Sequence, residues 1–168
     1  MNPFLLESPE KLKEKAKRAR PGFEKTLKKL RAKNKRALDG LFHELHHELF
    51  QEIDCLDCAN CCRSISPIVT DKDIERLARH LKIKPSEFMA RYLETDEEGD
   101  HVFREQPCPF LGADNYCLVY EKRPKACREY PHTDRPKMYQ LIKLCLKNAA
   151  ICPVVYKVLE RLEEEVTG

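Results

Sequence analysis

Leucine recurs at positions 27, 30, 38, 41, 45 and 49, with Asn34 taking the one remaining place in a 3-4-4-3-4-4 series. That period is close to a straight α-helix and predicts a helix over 23–53, about 45 Å long at 1.5 Å per residue. A helix of that length exceeds what a small domain needs, so its front half is expected to project or to pair with a second copy of the chain. Pro21-Gly22 reads as an interruption, leaving 11–20 as a short, frayed helix of its own. Thr70-Asp71-Lys72-Asp73 reads as a helix start, with Thr70 capping and Ile74, Leu77, Ala78 and Leu81 forming the buried face. Pro85-Ser86-Glu87 opens another helix anchored by Phe88, Met89 and Tyr92, and the acidic run 95–100 ends it. Segments 101–104 and 118–120 are expected to make a small hairpin. A short helix through Cys127 stops at Pro131, and two helices follow over 136–151 and 153–166. The expected class is mostly α: a small irregular helical domain with a long N-terminal helix and one short β-hairpin. A basic helical arm over 1–52 precedes a cysteine-bearing domain over 53–168.

The 168 residues are 35% charged and 42% hydrophobic, with a mean hydropathy of −0.62. No stretch approaches the ~18 apolar residues of a membrane span. Seven Phe, six Tyr and many Leu suffice for a core, which excludes wholesale disorder. Phe4-Leu5-Leu6 runs straight into Glu7 and dense lysine, too short an apolar run for a secretory leader. The expected compartment is the cytoplasm, where thiols stay reduced.

The net charge of +3 conceals an asymmetry. From Lys11 to Arg36 thirteen Lys or Arg face two Glu, a local charge of +11, while the remainder carries −8. A basic arm on an acidic body suits an anionic partner such as RNA or an acidic protein surface, although a solvated helix face also explains it. No aromatic side chains are interleaved with the cations for base stacking.

His43-Glu44-Leu45-His46-His47 matches the H-E-x-x-H zinc-protease pattern. On the helix expected here, His43 and His47 lie about 160–200° round from the leucine stripe, facing solvent or a partner with no cleft wall above them. The reading preferred is an exposed helix face.

Nine cysteines carry the sharper signal: Cys55, Cys58, Cys61, Cys62, Cys108, Cys117, Cys127, Cys145 and Cys152. Their number is odd, their density falls below the ~8–10% of disulfide scaffolds, and two are adjacent, so metal ligation is favoured over bridging. Cys55-x-x-Cys58-x-x-Cys61-Cys62 sets several thiols on one tight loop. Zinc requires four ligands at about 2.3 Å. Iron–sulfur clusters also take four thiolates, often from C-x2-C-x2-C plus a remote Cys-Pro. Cys108-Pro109 and Cys152-Pro153 are two such pairs, and the completing ligand is expected from the second half of the chain. Arg63, Arg123 and Arg128 stand ready to offset thiolate charge. Eight ligands would make two four-thiolate sites with one cysteine spare, and four would make one site with bystanders. Cys145, for its part, reads equally as a small buried core residue.

Several of these motifs together resemble a known family. Cys55-x-x-Cys58-x-x-Cys61-Cys62, Cys108-Pro109-Phe110-Leu111, Cys117, Tyr120-Glu121-Lys122-Arg123-Pro124 and Cys127-Arg128-Glu129-Tyr130-Pro131 occur in the order seen in the YkgJ-type cysteine-cluster family, described as zinc- or iron-chelating. The likeness covers roughly 53–152. It departs at Ala59, where such proteins often carry Gly, and this places mild strain in the loop. The resemblance implies a bound zinc or iron, and the C-x2-C-x2-C run with the two Cys-Pro pairs slightly favours an iron–sulfur cluster. It also implies a distant similarity to flagellin lysine N-methylases, which associate such a cluster with S-adenosylmethionine chemistry, yet no G-x-G nucleotide loop is present among only five glycines. Three readings stand: a metal-binding module; an iron–sulfur enzyme of redox or methyl-transfer type, with Arg63, Arg128, Tyr130 and His132 beside the cysteines; and a nucleic-acid or ribosome-associated adaptor using the basic arm.

Overall fold

The computed structural model describes residues 8–168; the Phe4–Leu6 stretch lies outside them. The chain divides into two compact units, one made of the segments up to Cys58 and from Pro131 onward, the other of Ala59–Tyr130. As expected, the chain is mostly helical, with a long N-terminal helix and one short hairpin.

In the first unit, α1 (Pro9–Lys33) starts at Ser8, whose hydroxyl accepts from the Lys11 amide, and runs straight through Pro21 and Gly22. The expected interruption does not occur there. Proline removes one backbone donor, but packing keeps the helix whole: Leu12, Ala16, Phe23 and Leu27 are buried on one face. The break falls at Asn34. That residue is extended (φ −163°), and its Oδ1 accepts from the Arg36 and Ala37 amides at 2.9 and 3.1 Å, so it caps α2 (Lys35–Glu52). The single helix expected over 23–53 is therefore two helices, and the polar residue in the leucine stripe marks the joint. α3 (Cys55–Cys58) follows at the boundary.

The same unit is completed from the far end of the chain. A 3₁₀ turn (Met138–Gln140) is followed by two helices, Ile142–Asn148 and Pro153–Thr167. The last of these packs on both α1 and α2. Phe23, Leu27, Leu38, Phe42, Leu45 and Leu49 meet Val154, Val155, Val158, Leu159 and Leu162 in one core, so the apolar stripe of the N-terminal helices is covered within the chain. Asp39 fixes the 3₁₀ turn by accepting from the Lys137 and Met138 amides at 2.8 and 2.7 Å.

The second unit begins with α4 (Asn60–Ser64), entered through Ala59 at φ +47°. α5 (Asp71–Leu81) carries a full capping box, the Thr70 hydroxyl accepting from the Asp73 amide while the Asp73 carboxylate accepts from the Thr70 amide. After α6 (Pro85–Tyr92), β1 (Leu93–Thr95) pairs antiparallel with β2 (His101–Phe103), Leu93 opposite Phe103. The hairpin is thus closed by the acidic run. Asp96 Oδ1 accepts from the Glu98 and Asp100 amides, and Gly99 supplies a positive φ of 88°. Segment 118–120 does not pair with 101–104; the chain instead enters a 3₁₀ turn at Tyr120–Lys122 and then α7 (Lys125–Glu129). Val69, Ile74, Leu77, Phe88, Leu93, Phe103, Phe110 and Val119 form this unit's core, with Cys108 and Cys117 packed against it. In chain order the two C-terminal helices are α8 (Ile142–Asn148) and α9 (Pro153–Thr167).

Candidate metal centre

All nine cysteines are thiols rather than disulfide bridges. In the second unit, four converge. Cys62 sits on α4. The Cys108 amide donates to the Cys62 carbonyl at 2.8 Å, which ties the Cys108 loop to that helix. The chain then folds back on itself: Leu111 bridges to Cys117, the Leu118 amide reaches the Phe110 carbonyl at 2.9 Å, and Cys117 is carried alongside Cys108. α7 supplies Cys127.

The electrostatics express this convergence. The Cys108 thiol is raised to about 11, by burial first and also by Cys62 and Cys117, against the Phe110 and Leu111 amides that donate to its sulfur. Cys127 rises to about 12 through burial and then through Cys108, Cys62 and Cys117. Cys117 is raised by burial and by Cys62, against a hydrogen bond from the Val119 amide and the Arg123 charge. Cys62 alone is lowered, to about 7: the Cys61 thiol donates to it, outweighing burial, and Arg63 and Arg123 assist. The groups acting on these four sulfurs are other sulfurs, backbone N–H groups and two arginines. That donor set suits a thiophilic ion, since the thiolates of Cys108, Cys117 and Cys127 are destabilised by neighbouring sulfurs until a cation stands among them.

Arg63 also donates to Asn115 Oδ1, and Arg123 stacks 3.7 Å above the Tyr120 ring while its Nε donates to the Tyr120 carbonyl. Arg128, expected as a third charge-offsetting group, is exposed. Tyr130 and His132 are half-buried, His132 at φ +66°.

Cys61 and Cys62 occupy successive positions on α4, and the hydrogen bond between their side chains keeps the Cys61 sulfur beside Cys62. In the first unit, Cys152 is raised to about 12, by burial first and then by Cys55 and Cys58, against hydrogen bonds from the Val155 and Val154 amides at the start of α9. Three sulfurs thus gather there. Cys145 is wholly buried in the apolar core, where burial pushes it to about 12.

Two residues of α5, Asp73 and Arg76, hold the Cys127 segment. Asp73 is 1% exposed. Its carboxylate accepts from the Thr70 hydroxyl at 2.7 Å, from the Lys125 amide at 3.1 Å and from Arg76. Arg76 in turn donates to the carbonyls of Lys122 and Arg123, at 3.3 and 2.8 Å. The pair therefore clamps the strand of chain that delivers Arg123 and starts α7. Nothing in the sequence signals this, because Lys125 is 52 positions from Asp73.

Among the described residues, the trio of Cys, His, Asp or Glu ligand atoms lying within 4.8 Å of one another is Asp96, Glu98 and Asp100. The H-E-x-x-H residues behave as helix side chains with neighbours. His47 is exposed, as expected. His43 is not: it is half-buried, its Nε2 lying 2.9 Å from the Arg135 carbonyl oxygen, and His46 Nδ1 lies 2.7 Å from Thr133 Oγ1.

No helix among the described residues is long and apolar enough to cross a membrane. The chain is 33% identical over 82 residues to an uncharacterised protein of Methanocaldococcus jannaschii, a match covering 47% of this chain and 44% of that protein, so the chain spans less than half of the relative's length. No solved structure matches. Residues 54–153 match the profile of the CxxCxxCC family, whose description reads "Putative zinc- or iron-chelating domain". With Cys62, Cys108, Cys117 and Cys127 gathered inside that span, the chain belongs to the CxxCxxCC family of zinc- or iron-chelating domains.

Proposed function

We propose that this protein is a metal-binding module whose principal centre is held by Cys62, Cys108, Cys117 and Cys127, working in a reducing compartment, and that the centre is an iron–sulfur cluster. The gathering of four sulfurs with no carboxylate or imidazole among the groups acting on them carries the reading. Cys108-Pro109, a cysteine followed by proline as in cluster-binding sequences, supports the choice of cluster.

When bound, such a cluster supplies one-electron redox chemistry. The chain's part is to hold it: amides of Phe110, Leu111 and Val119 donate to the sulfurs, and Arg63 and Arg123 offset the negative charge. Cys55, Cys58 and Cys152 make a second sulfur group, and Cys145 serves the core. Anaerobic purification with analysis of iron, zinc and acid-labile sulfide tests this. A brown protein with iron and sulfide in matching amounts is expected; a colourless protein with stoichiometric zinc and no sulfide would overturn the choice of cluster.

A further inference from the structure

A cleft of about 520 Å³ in the first unit is lined by Arg31, Lys35, Tyr139, Gln140, Ile142 and Lys143. Its polar side chains are donors: one guanidinium, two ammonium groups, an amide and a phenol. Arg31 lies in the last turn of α1, Lys35 opens α2 and Lys143 comes from α8, so cationic residues of three helices line one concavity that has no carboxylate in its lining. Lys35 is steered by the Tyr139 ring, its Nζ 4.9 Å from the centroid. Tyr139 and Gln140 are steered by Asp39, whose two oxygens are both engaged by the amides of Lys137 and Met138. Like charges held together on rigid elements repel unless an anion sits among them.

The cleft continues a larger basic surface. All thirteen Lys and Arg from Lys11 to Arg36 are exposed, and the two acidic residues of that stretch are already paired, Glu14 with Arg18 and Glu24 with Arg20. A membrane-surface helix would need its apolar face available, but Leu12, Ala16, Phe23 and Leu27 are buried. A concave cluster of donors suits a discrete oxyanion, and a long row of cations suits a repeating one. We propose that the Arg31–Lys35–Lys143 cleft seats a phosphate of a nucleic-acid backbone that runs along the basic face of α1. The inference does not depend on the metal reading.

Fluorescence anisotropy of the full chain with a labelled single-stranded oligouridine tests it. The cleft variant R31E/K35E/K143E is compared with K72E/K84E/R91E, which makes the same change in net charge at exposed positions of the other unit. The cleft variant is expected to lose affinity by about tenfold or more and to flatten the slope of log K against log salt by about 2, three contacts at ~0.7 each. The control variant should change little. Equal losses in the two variants, or no binding by the unaltered chain at about 50 mM salt, would overturn the proposal. So would binding to phosphatidylserine vesicles that is as tight as binding to the oligonucleotide and is lost in the same variant.

Discussion

Replacing Asp73 with Ala is the most informative single change outside the cysteines. The side chain is 1% exposed and accepts hydrogen bonds from the Thr70 hydroxyl and amide, the Lys125 amide and Arg76. Hydrogen bonds to a charged group each contribute about 1.5–3 kcal/mol, but the wild type also bears the cost of desolvating the carboxylate, so the terms do not simply add. Removing one partner of a buried, hydrogen-bonded ion pair costs about 3–5 kcal/mol. Asp73→Ala should fall in that range, whereas Thr70→Ala, which removes only the cap, should cost about 1 kcal/mol. Burial raises the Asp73 carboxyl, but bonds from Thr70, Arg76 and Lys125 outweigh it and hold the group below its ordinary value. A carboxyl depressed in the fold contributes stability that is complete above its unfolded value and is lost as pH falls through its folded one. The wild-type advantage over Asp73→Ala should therefore persist at neutral pH and shrink as acid is added below about pH 4. Urea denaturation followed by circular dichroism, repeated across pH, reads both effects. Because the Asp73–Arg76 clamp holds the chain entering α7, chelator-driven metal loss should quicken by about 10–100-fold, the usual cost of losing a group that orients a metal ligand. A loss under about 1 kcal/mol, or wild-type metal-release kinetics in a clearly destabilised variant, would refute the clamp.

Other changes probe the frame around the site. Asn34→Ala removes the two-amide cap on α2 and should cost about 1 kcal/mol in a thermal melt, while Asn34→Asp should restore it to within a few tenths. Ala59, at φ +47°, accepts a left-handed conformation that glycine adopts freely. Ala59→Gly should be neutral or stabilising by up to about 1 kcal/mol, and Ala59→Val destabilising by more than that. His46 is held below its ordinary value by burial and by His47 and His43, against Asp134. Its contribution is complete above the unfolded value near 6.5 and declines as pH falls, so His46→Gln should flatten the stability profile just below neutrality.

Local signals in the sequence carried far. Thr70-x-x-Asp73 marked α5 because a capping box lies within four residues, and the leucine period marked the N-terminal helices because a buried stripe imposes it. Pro21 misled because covering the apolar face outweighs one missing hydrogen bond, and Asn34 misled because its polar side chain was read as a flaw in the stripe rather than as a cap. The hairpin was foreseen but its partner was not, since the acidic run 96–100 that ended one element is also the turn that starts the next. Of the site, the cysteines were visible but their grouping was not. The bond from the Cys108 amide to the Cys62 carbonyl and the loop pairing that carries Cys117 alongside Cys108 are tertiary. The Asp73–Arg76 clamp and the Lys143 side of the cationic cleft depend on residues far apart in the chain.

The central claim is tested most directly by metal content in two matched variants. Cys127→Ser removes one of the four gathered sulfurs, and Cys145→Ser changes a buried cysteine in the core of the first unit. With folding of each verified by circular dichroism, elemental analysis should show Cys127→Ser depleted of metal and Cys145→Ser carrying as much as the unaltered chain. Full metal in Cys127→Ser, or its loss in folded Cys145→Ser, would contradict the account.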